Sequence, residues 1–308
     1  MSFIKAQRQQ AKIRLSVASP TGFGKTISAL MIAYGITNDW SKIGVIDTEN
    51  KSASLYANHK LPNGFTIGEF MVSHIEPPYT PEKYSQAIKE GEDAGFEVLI
   101  IDSVTHVWQG QGGLLEYNDS LGGNKFQNWA KTTPRYQKWL DSILHSKCHI
   151  ITTNRKKQAY ALINEGGKSK VEKQGMEDQI RDGYDYEMTL AFEIINDAHL
   201  AKASKDRTSL FMNKPEFIIT PETGKLIKQW CETGIEAVKE QPKSNGLPTN
   251  NQAADFYEVW QKEVKAISKQ SNLLELYNHH KSTIMEDEKL KDMFKVRQSE
   301  LTPKATVK

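Results

Sequence analysis

The residues that most clearly point to chemistry form the run SPTGFGKT at positions 19–26. A glycine-rich turn followed by Gly-Lys-Thr is typical of a loop whose backbone N–H groups surround phosphate oxygens. In such loops the lysine reaches the terminal phosphates and the hydroxyl holds Mg²⁺. The residues that the pattern assigns to phosphate binding are Thr21, Gly22, Phe23, Gly24, Lys25, Thr26 and Ile27. The run therefore predicts a nucleotide-binding site in which Thr26 is also a Mg²⁺ ligand.

One position departs from the usual pattern, because Ser19 stands where a glycine is common. Pro20 biases the residue before it towards extended backbone angles, in which serine is comfortable. Glycine remains at 22 and 24, where the backbone approaches phosphate most closely. We therefore expect a working phosphate loop, and an ordinary glycine-rich turn is the alternative.

Two apolar runs end in carboxylates that suit this chemistry. Asp102 ends the run VLIID, and a carboxylate so placed completes the Mg²⁺ shell in phosphate-loop enzymes. Asp47 and Glu49 end the run IGVIDTEN, where alternation puts both on one face and Thr48 on the other. Glu49 is the candidate to orient or deprotonate the attacking water. The alternatives are a capping role for Asp102 and a solvated strand end for Glu49.

The elements around these residues alternate between short β-branched runs and helical patterns. Strands are predicted at 13–18, 42–47, 65–72, 98–102, 149–153, 186–194 and 217–220. Helices are predicted after the phosphate loop and from Thr80, the expected N-cap, to Gly95. Strand-helix-strand repetition predicts an α/β fold with a mainly parallel sheet and helices on both faces.

The character of the chain changes after Val238. Residues 239–252 are polar and rich in Pro, Gly and Asn, which predicts a linker. Residues 253–302 show amphipathic helical spacing and predict a small C-terminal α-helical region, after which the tail is expected to fray. The core domain is thus placed at residues 1–238.

Composition bounds the class of protein. With 38% hydrophobic and 25% charged residues, the 308-residue chain is typical of globular proteins. No apolar run reaches membrane-spanning length, so no membrane is expected, and the N-terminus lacks the apolar core of a secretion signal. Cys148 and Cys231 are too few for a disulfide framework, which favours the cytoplasm. A net charge of +2 neither demands nor excludes nucleic acid.

The motifs resemble a known family. The order of SPTGFGKT, IDTE and LIIDS, with serine after the aspartate, is similar to the RecA family of recombination ATPases. The longer stretches GKTISAL, IDTENKSASLYA, PPYTPEKYSQAI, LIIDSVTHVWQGQGGLLE and ASKDRTSLF resemble the ATP-binding proteins of phages and prophages, over about residues 10–215. Some of that wider group, the Sak-four proteins, are single-strand annealing recombinases that work beside a single-strand-binding protein.

The resemblance implies a RecA-like P-loop NTPase core that binds ATP with Mg²⁺ and uses Glu49 to activate water. It implies a homo-oligomer, ring or filament, with ATP at subunit interfaces, in a bacterial host cell. Asn154, after the run HIITT, matches a residue that senses the γ-phosphate. Lys205 and Arg207 resemble the Lys-x-Arg pair with which RecA-fold hexameric helicases reach the neighbouring subunit's γ-phosphate. A strand-ending asparagine and a solvated charge cluster are the alternatives.

Two long connections are candidates for binding single-stranded DNA. The one after Asp102 contains Trp108, Trp129 and Tyr136 among basic residues, and stacking faces with cations suit single strands. The second resembles the mobile DNA-binding loops of RecA-like proteins; its basic residues are Arg155, Lys156, Lys157, Lys168, Lys170 and Lys173. The alternatives are core packing of the aromatic residues and a surface hairpin with a solvated face.

The leading hypothesis is an ATPase in phage DNA recombination that promotes annealing or strand pairing beside a single-strand-binding protein. A replicative helicase or its loader is the second reading. The third is a DNA-binding switch that is gated by ATP and hydrolyses little of it.

Overall fold

A computed structural model describes residues 5–165, 168–235, 260–261, 264–280, 284–285 and 287–302, and we treat only these below. The chain divides into two compact units, Met1–Ala237 and Val238–Lys308. The predicted linker at 239–252, the start of the C-terminal helical region and the tail at 303–308 lie outside the described residues.

The first unit alternates strands and helices. Its strands are β1 Arg14–Ser19, β2 Ile43–Asp47, β3 Met71–His74, β4 Val98–Asp102, β5 His149–Glu165, β6 Lys168–Asp178, β7 Leu190–Ile194, β8 Leu200–Asp206 and β9 Phe217–Ile218. Its helices are α1 Lys25–Thr37, α2 Pro81–Asp93, α3 Thr105–Gln109, α4 Leu114–Ser120, α5 Lys125–Leu144, α6 Tyr184–Glu187 and α7 Pro221–Cys231. Helix α2 begins after Thr80 and is followed by Gly95 with φ of 82°, as predicted.

The strands of the described residues form one sheet in the order β3-β2-β4-β5-β1-β7-β8-β9, with β6 paired to β5. The run from β3 to β7 is parallel, whereas β8, β9 and β6 pair antiparallel. The predicted mainly parallel α/β sheet is therefore confirmed. The carboxyl ends of the parallel strands meet at one edge, which is where ligands bind in open sheets of this type.

Side-chain alternation divides the core between the two faces of the sheet. Ile151 packs with Val17 and Ile32 on the face that α1 and α7 cover. Ile150 packs with Trp139 on the face covered by α2 and α5. The helices therefore cover both faces, as the sequence predicts. The face on which a strand residue lies decides whether it can reach the phosphate loop.

Several strand predictions are wrong in extent. Only Met71 and Val72 of the predicted strand at 65–72 are in β3, because Ile67 and Phe70 instead pack as a buried loop around Trp40. The strand predicted at 186–194 begins at Leu190, after the short helix α6. The strand predicted at 149–153 continues to Glu165, since β5 leaves its parallel neighbours and pairs with β6. The strand predicted at 217–220 ends at Ile218.

The described part of the second unit contains α8 Gln270–His279 and α9 Glu288–Leu301. Their core includes Leu273, Leu290 and Phe294, which accounts for the amphipathic spacing. Asp287 caps α9 by accepting hydrogen bonds from two backbone N–H groups. Among the residues that the structure describes, no helix is both long and apolar enough to cross a bilayer.

Candidate nucleotide-binding site

The phosphate loop joins the end of β1 to the start of α1. Gly22 and Gly24 have φ of 89° and 92°, in the left-handed region that side chains other than glycine rarely adopt. Gly24 is the N-cap of α1, so the free N–H groups of the first helical turn point into the loop. Ser19 is the last residue of β1, which agrees with the extended conformation expected before Pro20. The loop has the backbone that phosphate binding needs.

Lys25 folds back over this loop. Its Nζ donates hydrogen bonds to the carbonyl oxygens of Ser19 at 3.1 Å and Pro20 at 3.0 Å. Burial lowers the pKa of Lys25, and the carboxylates of Asp102 and Glu49 oppose that shift. The ammonium group is therefore partly desolvated beside two acids, where an incoming phosphate would be a strong acceptor.

Thr26 and Asp102 form the expected pair of oxygen groups. Thr26 Oγ1 donates to Asp102 Oδ2 at 2.6 Å, and Thr153 Oγ1 donates to the other carboxylate oxygen. Asp102 is 1% exposed, and burial raises its pKa despite these two hydrogen bonds. A buried carboxylate of this kind is stabilised by a cation.

The donor set fits Mg²⁺. Hard oxygen groups are the ligands that this ion prefers, and it keeps waters and phosphate oxygens rather than an all-protein cage. Within the described residues, no group of three or more His, Cys, Asp or Glu side chains is placed to hold a metal ion.

Glu49 lies at the end of the neighbouring strand with its carboxylate fully engaged. Ser103 Oγ donates to Glu49 Oε1 at 2.7 Å. Arg155 Nε donates to the same oxygen at 2.9 Å, and a second Arg155 nitrogen donates to Oε2. Burial raises the pKa of Glu49, but the hydrogen bonds from Arg155 and Ser103 outweigh it, so the pKa lies below its ordinary value.

Asp47, the second carboxylate of this strand end, has a structural role. Its oxygens accept hydrogen bonds from the backbone N–H of Glu49 at 2.7 Å and of Ala53 at 3.1 Å. It therefore shapes the turn that carries Glu49. Thr48 lies between them and contacts Ser103 and His106 instead.

The structure does not bring Asn154 to this group. Thr153 contacts Asp102 and Arg155 contacts Glu49, so alternation turns Asn154 to the opposite face of the sheet. There it is 2% exposed and its Oδ1 accepts a hydrogen bond from Thr105 at 3.4 Å. Asn154 also does not end the strand, because β5 continues beyond it.

Lys205 and Arg207 lie together near the end of β8. Both donate to the carbonyl oxygen of Tyr186, and Lys205 Nζ also donates to that of Asp185 at 3.0 Å. They therefore face the same side, as the Lys-x-Arg spacing predicts. Throughout the described chain, no hydrogen bond or ion pair joins either residue to the phosphate loop of its own subunit.

The six predicted nucleic-acid residues fall into different environments. Arg155 belongs to the nucleotide site. Lys156 is largely buried between Asp178 at 3.6 Å and Glu193 at 3.1 Å. Lys157 is exposed and pairs with Glu177 at 3.0 Å, and Lys173 is exposed. The side chains of Lys168 and Lys170 lie outside the described residues. The segment is a β-hairpin, the alternative considered above.

The aromatic residues of the first connection meet the segment that follows β6. Trp108 and Trp129 stack with ring centroids 5.8 Å apart, and the Arg181 guanidinium lies 4.8 Å from the Tyr136 ring. Trp108, Trp129 and Arg181, together with Ile180 and Asp182, line a cavity of about 460 Å³. Trp129 is half-buried, whereas Trp108 and Tyr136 are part of the core.

His199 is a site residue that sequence reasoning missed. Its Nδ1 donates a hydrogen bond to the carbonyl oxygen of Phe23 at 2.9 Å, within the phosphate loop. It lies in the turn between β7 and β8. Because β7 pairs with β1, this turn lies beside the phosphate loop that follows β1. No motif surrounds His199, so only the tertiary fold could have identified it.

Comparison with known proteins agrees with this geometry. A family model described as an AAA domain matches residues 11–220, about two thirds of the chain. The match spans the phosphate loop, Glu49, Asp102 and the whole sheet. No curated protein matches the chain.

Proposed function

The chain belongs to the AAA domain family, and from this membership and the site geometry we propose that it hydrolyses ATP and acts on single-stranded DNA. One observation carries the ATPase proposal. Lys25, the Thr26–Asp102 pair and Glu49 come from three separate elements and converge beside one glycine-rich loop. A purely structural role for the loop would not require a lysine, a hydroxyl–carboxylate pair and a further strand-end acid around it.

The residues have distinct roles in the proposed reaction. The loop N–H groups and Lys25 bind the phosphates, and Thr26 with Asp102 would hold Mg²⁺, which neutralises phosphate charge when bound. Glu49 accepts a proton as water oxygen bonds to the γ-phosphorus. The bond from that phosphorus to the β–γ bridging oxygen breaks, and ADP leaves with its electron pair. The proton then passes from Glu49 to solvent, so the products are ADP and inorganic phosphate.

Two variants test the ATPase proposal. We expect Lys25→Ala to lose ATP binding in equilibrium dialysis, because the phosphate charge is no longer matched. We expect Glu49→Gln to keep ATP binding, and we expect its rate of phosphate release to fall by a factor of about 10²–10⁴. Wild-type protein that binds no ATP, or a Glu49→Gln variant with full turnover, would refute the assignment.

Two features support single-stranded DNA as the partner. The cavity beside Trp129 joins an aromatic face to the Arg181 cation, and base stacking on such a face tolerates any sequence. The exposed Lys157 and Lys173 lie on the hairpin that begins at the nucleotide site. The resemblance to phage RecA-core proteins extends the proposal to strand annealing or pairing in recombination, beside a single-strand-binding protein.

Binding of a labelled oligothymidylate, followed by fluorescence anisotropy, tests the DNA proposal. We expect affinity to fall steeply between 50 and 200 mM salt, by about 10-fold or more. Trp129→Ala should weaken binding by about 5- to 100-fold. Trp230→Ala is the matched control, since Trp230 is also half-buried beneath an arginine but lies on α7. Equal effects of both variants, or no binding at low salt with ATP and Mg²⁺, would contradict it.

Lys205 and Arg207 support a site shared between subunits. A guanidinium that stabilises transition-state charge has to reach the γ-phosphate, and a neighbouring subunit is the proposed source. We expect Arg207→Ala to bind ATP without turning it over. Mixing Arg207→Ala with Glu49→Gln protein should restore part of the activity, because each supplies what the other lacks. No restoration in a mixed oligomer would count against sharing.

A further inference from the structure

Arg155 lies at the nucleotide site, although it begins the basic segment of the hairpin. It is paired in register with Ser19, the last residue of the adjacent parallel strand β1, immediately before the phosphate loop. Its side chain is on the same face of the sheet as Thr153, which contacts Asp102. Thr105 Oγ1 accepts a hydrogen bond from the Arg155 backbone N–H at 3.0 Å, which fixes the main chain at this point. The side chain therefore projects beside the loop that binds phosphate.

The guanidinium of Arg155 is occupied by Glu49. The two side chains form a two-point ion pair and are 33% and 17% exposed. Both carboxylate oxygens of Glu49 accept from Arg155, and one accepts also from Ser103. A carboxylate held in this way has a lowered pKa and is a weak proton acceptor. In this arrangement Glu49 is in place for hydrolysis but is not free to carry it out.

Arg155 and Lys25 share the same electrostatic environment. Burial lowers the pKa of Lys25, the acids Asp102 and Glu49 raise it, and the positive charge of Arg155 lowers it further. The terminal phosphate of ATP would enter beside Lys25. It carries more charge than a carboxylate and offers three oxygens to the planar fork of a guanidinium. ADP lacks that group, so only ATP can compete with Glu49 for Arg155.

We propose that Arg155 is a γ-phosphate ligand within its own subunit and that it exchanges the Glu49 carboxylate for the terminal phosphate of ATP. This exchange leaves Glu49 free to accept the proton of water. With ADP the Arg155–Glu49 pair persists, so the acid is released only when the substrate is present. The inference rests on the proposed ATPase function and assigns to Arg155 the sensing role that the sequence predicted for Asn154, which lies on the opposite face of the sheet.

Titration calorimetry with Mg²⁺ and either ADP or the β,γ-imido analogue of ATP tests the exchange without turnover. We expect Arg155→Ala to lose about 10- to 100-fold in affinity for the analogue, with ADP affinity changed less than about twofold. Arg155→Lys keeps the charge without the fork and should lie between. Arg135→Ala is the matched control, because Arg135 makes an equivalent two-point pair with Glu82 on the surface. It should leave both affinities unchanged.

A double-mutant cycle separates exchange from simple charge effects. We expect Glu49→Gln to bind the analogue more tightly than wild type, because Arg155 is no longer held by a carboxylate. This gain should vanish when Arg155→Ala is already present. A gain that persists would show only relief of charge repulsion between Glu49 and phosphate, and would overturn the exchange.

The remaining outcomes are also decisive. If Arg155→Ala and Arg155→Lys fold, by circular dichroism, and weaken ADP and the analogue equally, the proposal is wrong. The same holds if neither variant changes the ratio of the two affinities. If wild-type protein binds neither nucleotide, the ATPase proposal itself fails, a result that is readily distinguished from a lost preference for ATP.

Discussion

Asp102→Asn should make the ligand-free protein more stable while it removes the response to Mg²⁺. Asp102 is 1% exposed and burial raises its pKa, so its charged form is disfavoured where it lies. Asparagine has nearly the same shape. Its amide oxygen can still accept from the hydroxyl of Thr26, and its N–H group can donate to the oxygen of Thr153. The substitution therefore removes charge and keeps the hydrogen-bonded geometry.

The size of the effect follows from two opposing terms. Burial of a carboxylate costs several kcal/mol of hydration. Two hydroxyl donors return about 1.5–3 kcal/mol each. The raised pKa of Asp102 shows that burial outweighs these two hydrogen bonds. We therefore expect the ligand-free Asp102→Asn protein to be more stable by about 1 kcal/mol. Saturation with Mg²⁺ and ADP at 100 times the dissociation constant should stabilise wild type by about 2.7 kcal/mol, and most of this gain should be lost in the variant.

Urea unfolding with and without Mg²⁺ and ADP measures the stability of the ligand-free protein and the increase in stability on binding. Asp206→Asn is the matched control. Burial raises the pKa of Asp206, but hydrogen bonds from Thr208 and from backbone N–H groups lower it below its ordinary value. That change should therefore destabilise the protein and leave the response to Mg²⁺ intact. A ligand-free Asp102→Asn protein less stable than wild type, or one with a full response, would refute the reasoning.

Two further predictions concern stability. His149 is buried, accepts a backbone hydrogen bond and has its pKa lowered to about 3, first by burial and then by nearby cations. Its unfolded pKa is about 6.5, so its contribution is complete above that pH and is lost as pH falls towards 3. In urea unfolding we expect the free energy of unfolding to fall by about 2 kcal/mol, from this group alone, between pH 7.5 and 5. The free energy of unfolding of His149→Asn should depend less on pH. A pH dependence equal to that of wild type would contradict the prediction. Gly35 lies against the carbonyl oxygen of Pro221 where α1 crosses α7, so Gly35→Ala should cost about 2–3 kcal/mol. Gly175→Ala faces open space and should change stability by less than about 0.5 kcal/mol, and similar losses in the two variants would refute the packing argument.

Local signals were sufficient for the elements that carry the phosphate loop. The strand before Ser19, the glycines at 22 and 24 and the helix after Lys25 each follow from residue type and spacing. Strand prediction was less successful at 65–72, because Ile67 and Phe70 are apolar for packing against Trp40 rather than for a place in the sheet. Apolar runs indicate burial and do not by themselves distinguish a strand from a buried loop.

By itself the sequence determined the α/β class, the phosphate loop and the strand-end acids, since these depend on contacts among near neighbours and on side-chain alternation. The tertiary structure decided which of those groups meet. Arg155 and Glu49 are 106 positions apart, and they come together because β2 and β5 pair with opposite edges of β4. Because side chains alternate along β5, the preceding residue Asn154 lies on the opposite face of the sheet. Strand register selects the face and the neighbours of each side chain, and it is set by long-range packing that motif spacing does not contain.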